Sequence, residues 1–143
     1  MSRTALAIVV VLSSGLSLGE RRASPLADPV AVVRAYVDDQ NERDLNGMLR
    51  LVADTIEVRE GLPNGPKVVA GGKQSREQFR AQIQKAFQSA PNARFEIVEV
   101  LAEGSIVVTK ERATGLPSEN GIGVAVYRVR QGRIDLLWLI LTP

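Results

Sequence analysis

The chain has 143 residues, 45% hydrophobic and 24% charged, with a formal net charge of +2; this fits one globular domain with its own core and leaves no basic surplus for a nucleic-acid surface. It contains neither cysteine nor histidine. Disulfides, thiolate nucleophiles, serine–histidine triads and zinc sites built on histidine or cysteine are therefore excluded, and any general base must be Asp, Glu, Lys or Tyr.

The N-terminal stretch "MSRTALAIVVVLSSGLSLGERR" joins Arg3, an apolar run from Ala5 to Leu18, and small residues at Ser17 and Gly19. That is the pattern of a secretory signal peptide cleaved after Gly19. The run is too short and too rich in Ser and Gly to span a bilayer well; an uncleaved anchor is the alternative. Residues 1–19 are read as a signal peptide, 20–27 as a linker and 28–143 as one domain. The expected location is secreted or periplasmic, with no stable membrane span after cleavage.

Asp28-Pro29 opens the first helix, with Asp as cap and Pro at the first helical position. Val30, Val33, Tyr36, Val37 and Gln40 follow at helical spacing, so one face is largely apolar. The helix should end near residues 41–43. Asp44 caps a second helix whose stripe is Leu45, Met48, Leu49 and Val52. Residues 55–59 read as a strand, and "EGLPNGPKVVAGG" as a turn-rich loop. Ser75 and Gln78 form a capping box for a third helix with Phe79, Ile83, Ala86 and Phe87 on its buried face. "GGKQS" is not a phosphate loop, because the glycine that motif needs at position 67 is Lys67.

The remainder reads as four strands: "ARFEIVEVLAE", "GSIVVTKERATG", "GIGVAVYRVR" and "RIDLLWLILTP", joined as antiparallel hairpins. Helices segregate from a mainly antiparallel sheet, which predicts an α+β domain. In the second of these strands Val107, Thr109 and Glu111 share one face, and Lys110 and Arg112 the other. If that first face is internal, Glu111 is a carboxylate inside the fold and a candidate base. The last strand breaks alternation, being apolar without interruption from Leu136 to Leu141. A strand with one wet face should alternate. A second copy of the chain, covering Leu136, Trp138 and Ile140, is the expected partner.

This order of elements resembles the nuclear transport factor 2-like superfamily, in its SnoaL-like and ketosteroid-isomerase-like branch. The resemblance rests on "DPVAVVRAYVDDQNERDLNGMLRLVADTIEVRE", "GGKQSREQFRAQIQKAF" and "VYRVRQGRIDLLW", and covers about residues 28–143. It implies a cone: a curved sheet wrapped around three helices, with a deep apolar pocket and pairing through the outer sheet face. Ketosteroid isomerases use a Tyr on the first helix, an Asp at the end of the first strand and a protonated Asp on a later strand; that carboxylic acid kept neutral is a familiar example of pKa tuning. Laid without gaps on this chain, the Tyr falls on Tyr36, the base on Glu60 and the second acid on Ala125. One group is matched, one is altered and one is missing. Glu is longer than Asp by a methylene, which moves the carboxylate by roughly 1–1.5 Å, a displacement that matters for proton transfer.

Two functions are carried forward. One is an enzyme that binds a small hydrophobic ligand with a carbonyl group and moves a proton beside it, as isomerases and cyclases of this superfamily do. Its catalytic residues would be Tyr36 as donor and Glu60 or Glu111 as base, with no cofactor and no metal. The other is a non-catalytic ligand-binding or dimerisation module.

Overall fold

A computed structural model describes residues 28–61, 72–117 and 121–141; the expected signal peptide, the linker and most of the turn-rich loop lie outside the described residues. The chain order is α1 (Pro29–Glu42), α2 (Leu45–Arg50), β1 (Val52–Glu60), β2 (Lys73–Ser75), α3 (Arg76–Ser89), β3 (Arg94–Glu103), β4 (Ile106–Thr114), β5 (Gly121–Arg130) and β6 (Arg133–Leu141). The class is α+β, as the segregation of helices from strands predicts.

Local chemistry sets the helix ends. The Asp28 carboxylate accepts the Val30 N–H at 3.0 Å, with Pro29 at the first helical position. α1 stops at Arg43, which takes a left-handed conformation (φ 63°). The freed Arg43 side chain donates to the carbonyls of Ala90 and Pro91 at 2.7 and 2.6 Å, and its guanidinium lies 4.7 Å from the centre of the Phe87 ring. Asn41 uses both ends of its amide, donating to the Phe95 carbonyl and accepting the Phe95 N–H, each at 2.8 Å. The C-terminal end of α1 is thus tied to the start of β3, which fixes where Tyr36 lies over the sheet.

Three expectations need correction. Helix α2 ends at Arg50, and Val52 belongs to β1 instead of extending the α2 stripe; its place in the core is the same, because it is fully buried from the strand. Lys73–Ser75 forms a short strand on β1, with Thr55 opposite Ser75, where no strand is predicted from the sequence. Three residues are too few to show a period. Ala86 is exposed, so the buried face of α3 is Phe79 with Ile83 and Phe87 partly covered. The Ser75–Gln78 capping box is present.

The six strands make one sheet in the order β2-β1-β6-β5-β4-β3. Every pairing is antiparallel except β1 with β6, which is parallel. Register shifts interrupt the ladders within 52–57, 97–99 and 128–129. Such bulges bend strands and increase twist, and here they let an unclosed sheet curve around the helices. The concave face carries the core: Val33, Tyr36 and Val37 of α1 and Phe79 of α3 cluster with Ile56, Val58, Val107, Ala125, Tyr127, Val129, Ile134 and Leu137. Burying a side chain of Phe79's size contributes about 1.5–3 kcal/mol.

Candidate functional site

Strand register orders the concave face into rows. Val107, Tyr127, Leu137 and Val58 form one row across four strands, and Thr109, Ala125, Leu139 and Glu60 form the next. Glu111 pairs with Gly123 one row further along. Tyr127 and Glu111 therefore start on opposite sides of the small Thr109–Ala125 pair. With no bulk at Ala125 or Gly123, the two long side chains meet above it.

The contact is specific. The Tyr127 hydroxyl donates to Glu111 Oε1 at 2.8 Å, and the Thr109 hydroxyl donates to the same oxygen at 2.6 Å. Thr109 is fully buried, Tyr127 is 2% exposed and Glu111 is 9% exposed. Hydrogen bonds to a charged group are worth about 1.5–3 kcal/mol each, and they offset the loss of water around a carboxylate. Among the described residues, Oε2 takes no hydrogen bond.

Tyr36 completes the group from the helix side. Its ring meets that of Tyr127 edge to face, with centroids 6.1 Å apart. Burial raises the pKa of its hydroxyl, and the nearby Glu111 charge raises it further. Burial also raises the pKa of Tyr127, followed by the charge of Glu111 and by their hydrogen bond. Both phenols therefore remain O–H donors across the ordinary pH range. The chain has two tyrosines, and both are in this cluster.

The structure brings together two of the three candidate residues. Tyr36 and Glu111 converge on Tyr127. Glu60 shares the concave side, since it alternates with the buried Ile56 and Val58, but it lies past the core and is exposed. Three strand spacings separate β1 from β4 in the sheet order, on the order of 14 Å across the sheet. Of the two candidate bases, Glu111 is thus the buried one and Glu60 the exposed one. Sequence reasoning missed Tyr127. Its signal was present, because it lies two residues beyond Ala125 and so on the same face. Ala125 itself is buried and brings no polar group to the cluster.

Hollows between α1 and β3, at the β5–β6 turn and along β3 and β4 open on the surface. One of about 260 Å³ lies between α1 and β3, over Val37, Phe95 and Ile97, with Arg34, Asp38 and Glu96 around it. Ile97 pairs with Glu111 across the sheet, so this hollow adjoins the cluster. Among the described residues, no group of three or more acidic side chains is placed to hold a metal ion.

A family model for the SnoaL-like domain matches residues 33–136, a span from α1 to β6 that contains the whole cluster. The chain belongs to the SnoaL-like family. No curated protein matches it. Among solved structures, this SnoaL-like chain is similar to a candidate ketosteroid isomerase from Kribbella flavida, with 21% identity, 80% of this chain and 78% of that one covered, and a TM-score of 0.64. It is also similar to a candidate polyketide cyclase from Sinorhizobium meliloti, with 17% identity, coverage of 76% and 93%, and a TM-score of 0.64. An uncharacterised cystatin-fold protein from Novosphingobium aromaticivorans aligns with 22% identity, coverage of 79% and 97%, and a TM-score of 0.66. These likenesses establish the nuclear transport factor 2-like fold of the SnoaL-like domain.

Proposed function

We propose that this SnoaL-like domain binds a small apolar molecule bearing a carbonyl group and transfers a proton beside that carbonyl, as an isomerase or cyclase does. Glu111 is the base and Tyr36 the donor to the developing oxyanion. The observation that carries this reading is a carboxylate inside an apolar core, held on one oxygen by Tyr127 and Thr109, next to the second phenol. The exposure of Glu60 moves the base's role from Glu60 to Glu111. Tyr127 and Thr109 hold Glu111 in place and leave Oε2 to receive the proton.

The test is exchange of the protons beside the carbonyl of a cyclic unsaturated ketone in deuterated buffer, followed by NMR. Glu111→Gln should slow exchange by about 10²- to 10⁴-fold, the usual contribution of a positioned base. Tyr36→Phe should slow it by about 10²-fold, as loss of an oxyanion donor does. Glu60→Gln should leave the rate unchanged. Full exchange by Glu111→Gln would overturn the assignment.

A second reading is favoured by one feature. Oε1 of Glu111 already has two donors, and the hollow that adjoins the cluster opens on the surface. A non-catalytic ligand-binding module would use the same cluster as a polar anchor for its core. Binding of the ketone without exchange by the wild type would select it.

The proposal extends to the setting of the domain. Residues 1–19 export the chain, and two copies pair through the outer sheet face at Leu136, Trp138 and Ile140. The intact mass of protein from the native host tests the first, since retention of residues 1–19 in a soluble fraction would count against it. Sedimentation tests the second.

A further inference from the structure

The turn between β5 and β6 lies at the opposite end of these strands from Glu111. Gln131 and Gly132 both take left-handed conformations, with φ of 52° and 72°, as a two-residue hairpin turn requires. Arg130 and Arg133 therefore face each other directly across the strand pair. Like charges in that position repel.

The nearby carboxylates relieve this only in part. Asp135 is engaged by Arg128 at 2.7 Å, and Arg130 reaches it only at 3.7 Å. Asp54 is engaged closely by Arg76, and Arg133 reaches it only at 3.8 Å. Four guanidinium groups share two carboxylates, a surplus of two positive charges. The longer contacts exceed hydrogen-bond distance, so the donor forks of Arg130 and Arg133 are left for another acceptor. Beside Asp54, Nε of Arg76 is buried without a hydrogen bond among the described residues. The two spare arginines, with Gln131, Ala53, Asp54 and Asp135, line an open depression of about 680 Å³.

We propose that this depression is a binding site for a phosphate group or a comparable dianion, gripped between Arg130 and Arg133. Two guanidinium forks match the oxygens of one phosphate. A dianion balances the surplus and removes the repulsion across the turn. The site is separate from the Glu111 cluster, because Arg130 lies seven positions along extended β5 from Gly123, roughly 23 Å of strand. It does not depend on the proton-transfer reading.

Calorimetric titration of the full chain with inorganic phosphate, against chloride at matched ionic strength, tests the site. Saturable binding at one site is expected. Arg130→Gln and Arg133→Gln should each weaken it roughly tenfold, as loss of a charge-assisted hydrogen bond does. Both side chains are at least half exposed, so the variants should fold, which circular dichroism checks. Asp54→Asn, at an 86% exposed side chain, should tighten binding by removing a competing carboxylate. Arg112→Gln, at the far end of the sheet, should change nothing. Phenyl phosphate and vesicles containing phosphatidic acid separate the sources of the group. Binding of the free ester alone assigns a soluble ligand, and binding of both assigns a lipid headgroup. Phosphate heats that do not saturate, or that are unchanged in Arg130→Gln and Arg133→Gln, overturn the proposal.

Discussion

On β4, Val107, Thr109 and Glu111 are buried beneath α1, while their immediate neighbours Val108 and Lys110 are half-buried and Arg112 is exposed. The two faces of this strand treat charge differently. On the inner face, one carboxylate is held by two hydroxyl donors in a medium where charge interactions are strong. On the outer face, Lys110–Glu99 at 3.0 Å and Arg112–Glu96 at 2.7 Å are exposed ion pairs. Such pairs contribute about 0–1 kcal/mol and are screened by salt. Apolar residues differ in the same sense. The inner row of Val107, Tyr127, Leu137 and Val58 is covered by helices. Among the described residues no helix lies over the outer row of Leu101, Val108, Val126 and Trp138, and Leu101 is 72% exposed. Stability should therefore reside on the inner face and association on the outer face.

The strongest way to break this division is a deletion inside. Ile134 is 1% exposed, and Ile134→Ala should cost about 2–5 kcal/mol, read from urea unfolding. A loss under about 1 kcal/mol, below the usual range for such a deletion, would show that the inner face is not the stability centre.

Trp138→Lys probes the other face. Trp138 is anchored by its ring N–H to the Gly61 carbonyl at 2.9 Å, and the Arg59 guanidinium lies 6.0 Å from the centre of its ring. If two copies meet here, burying an unpaired lysine should weaken the dimer by about 3–5 kcal/mol. Sedimentation equilibrium should then report a dimer for the wild type and a monomer for the variant. A wild-type monomer at micromolar concentration would sink the dimer proposal.

Tyr127→Phe sharpens the inner half of the comparison. It removes one of the two hydrogen bonds on Glu111 while keeping the ring, so the expected loss is about 1–3 kcal/mol. A change indistinguishable from zero would mean that Glu111 does not need the second donor.

High pH acts on the same cluster. Both tyrosines have raised native pKa values. Their contribution to stability is fully present below about pH 10, where tyrosine in an unfolded chain begins to ionise. It is lost as pH rises from there through the raised native values. Tyrosinate absorbance should therefore appear together with unfolding, and later than in a denatured sample. Early tyrosinate absorbance in folded protein would show that the phenols are open to water. The smallest effect belongs to Leu101→Ala, which should change the stability of the single chain by no more than about 0.5 kcal/mol, measured by the same urea titration.

The sequence determined what depends on neighbours along the chain. Capping residues, helical spacing and strand alternation carry their own signals, so Asp28, Ser75 and the shared side of Val107, Thr109 and Glu111 were legible from the order of residues alone. The class followed from the order of these elements. Tertiary structure decided which inward residues meet. Glu60 and Glu111 both lie on the concave side of a strand, and nothing local separates them. One runs past the core into solvent, while the other ends under α1, where Asn41 pins the helix to Phe95. The Tyr127–Glu111 bond likewise depends on β4 and β5 pairing so that two long side chains reach over Thr109 and Ala125. Such a contact between residues 16 apart is set by sheet register and curvature, which are properties of the assembled strands and not of either strand alone.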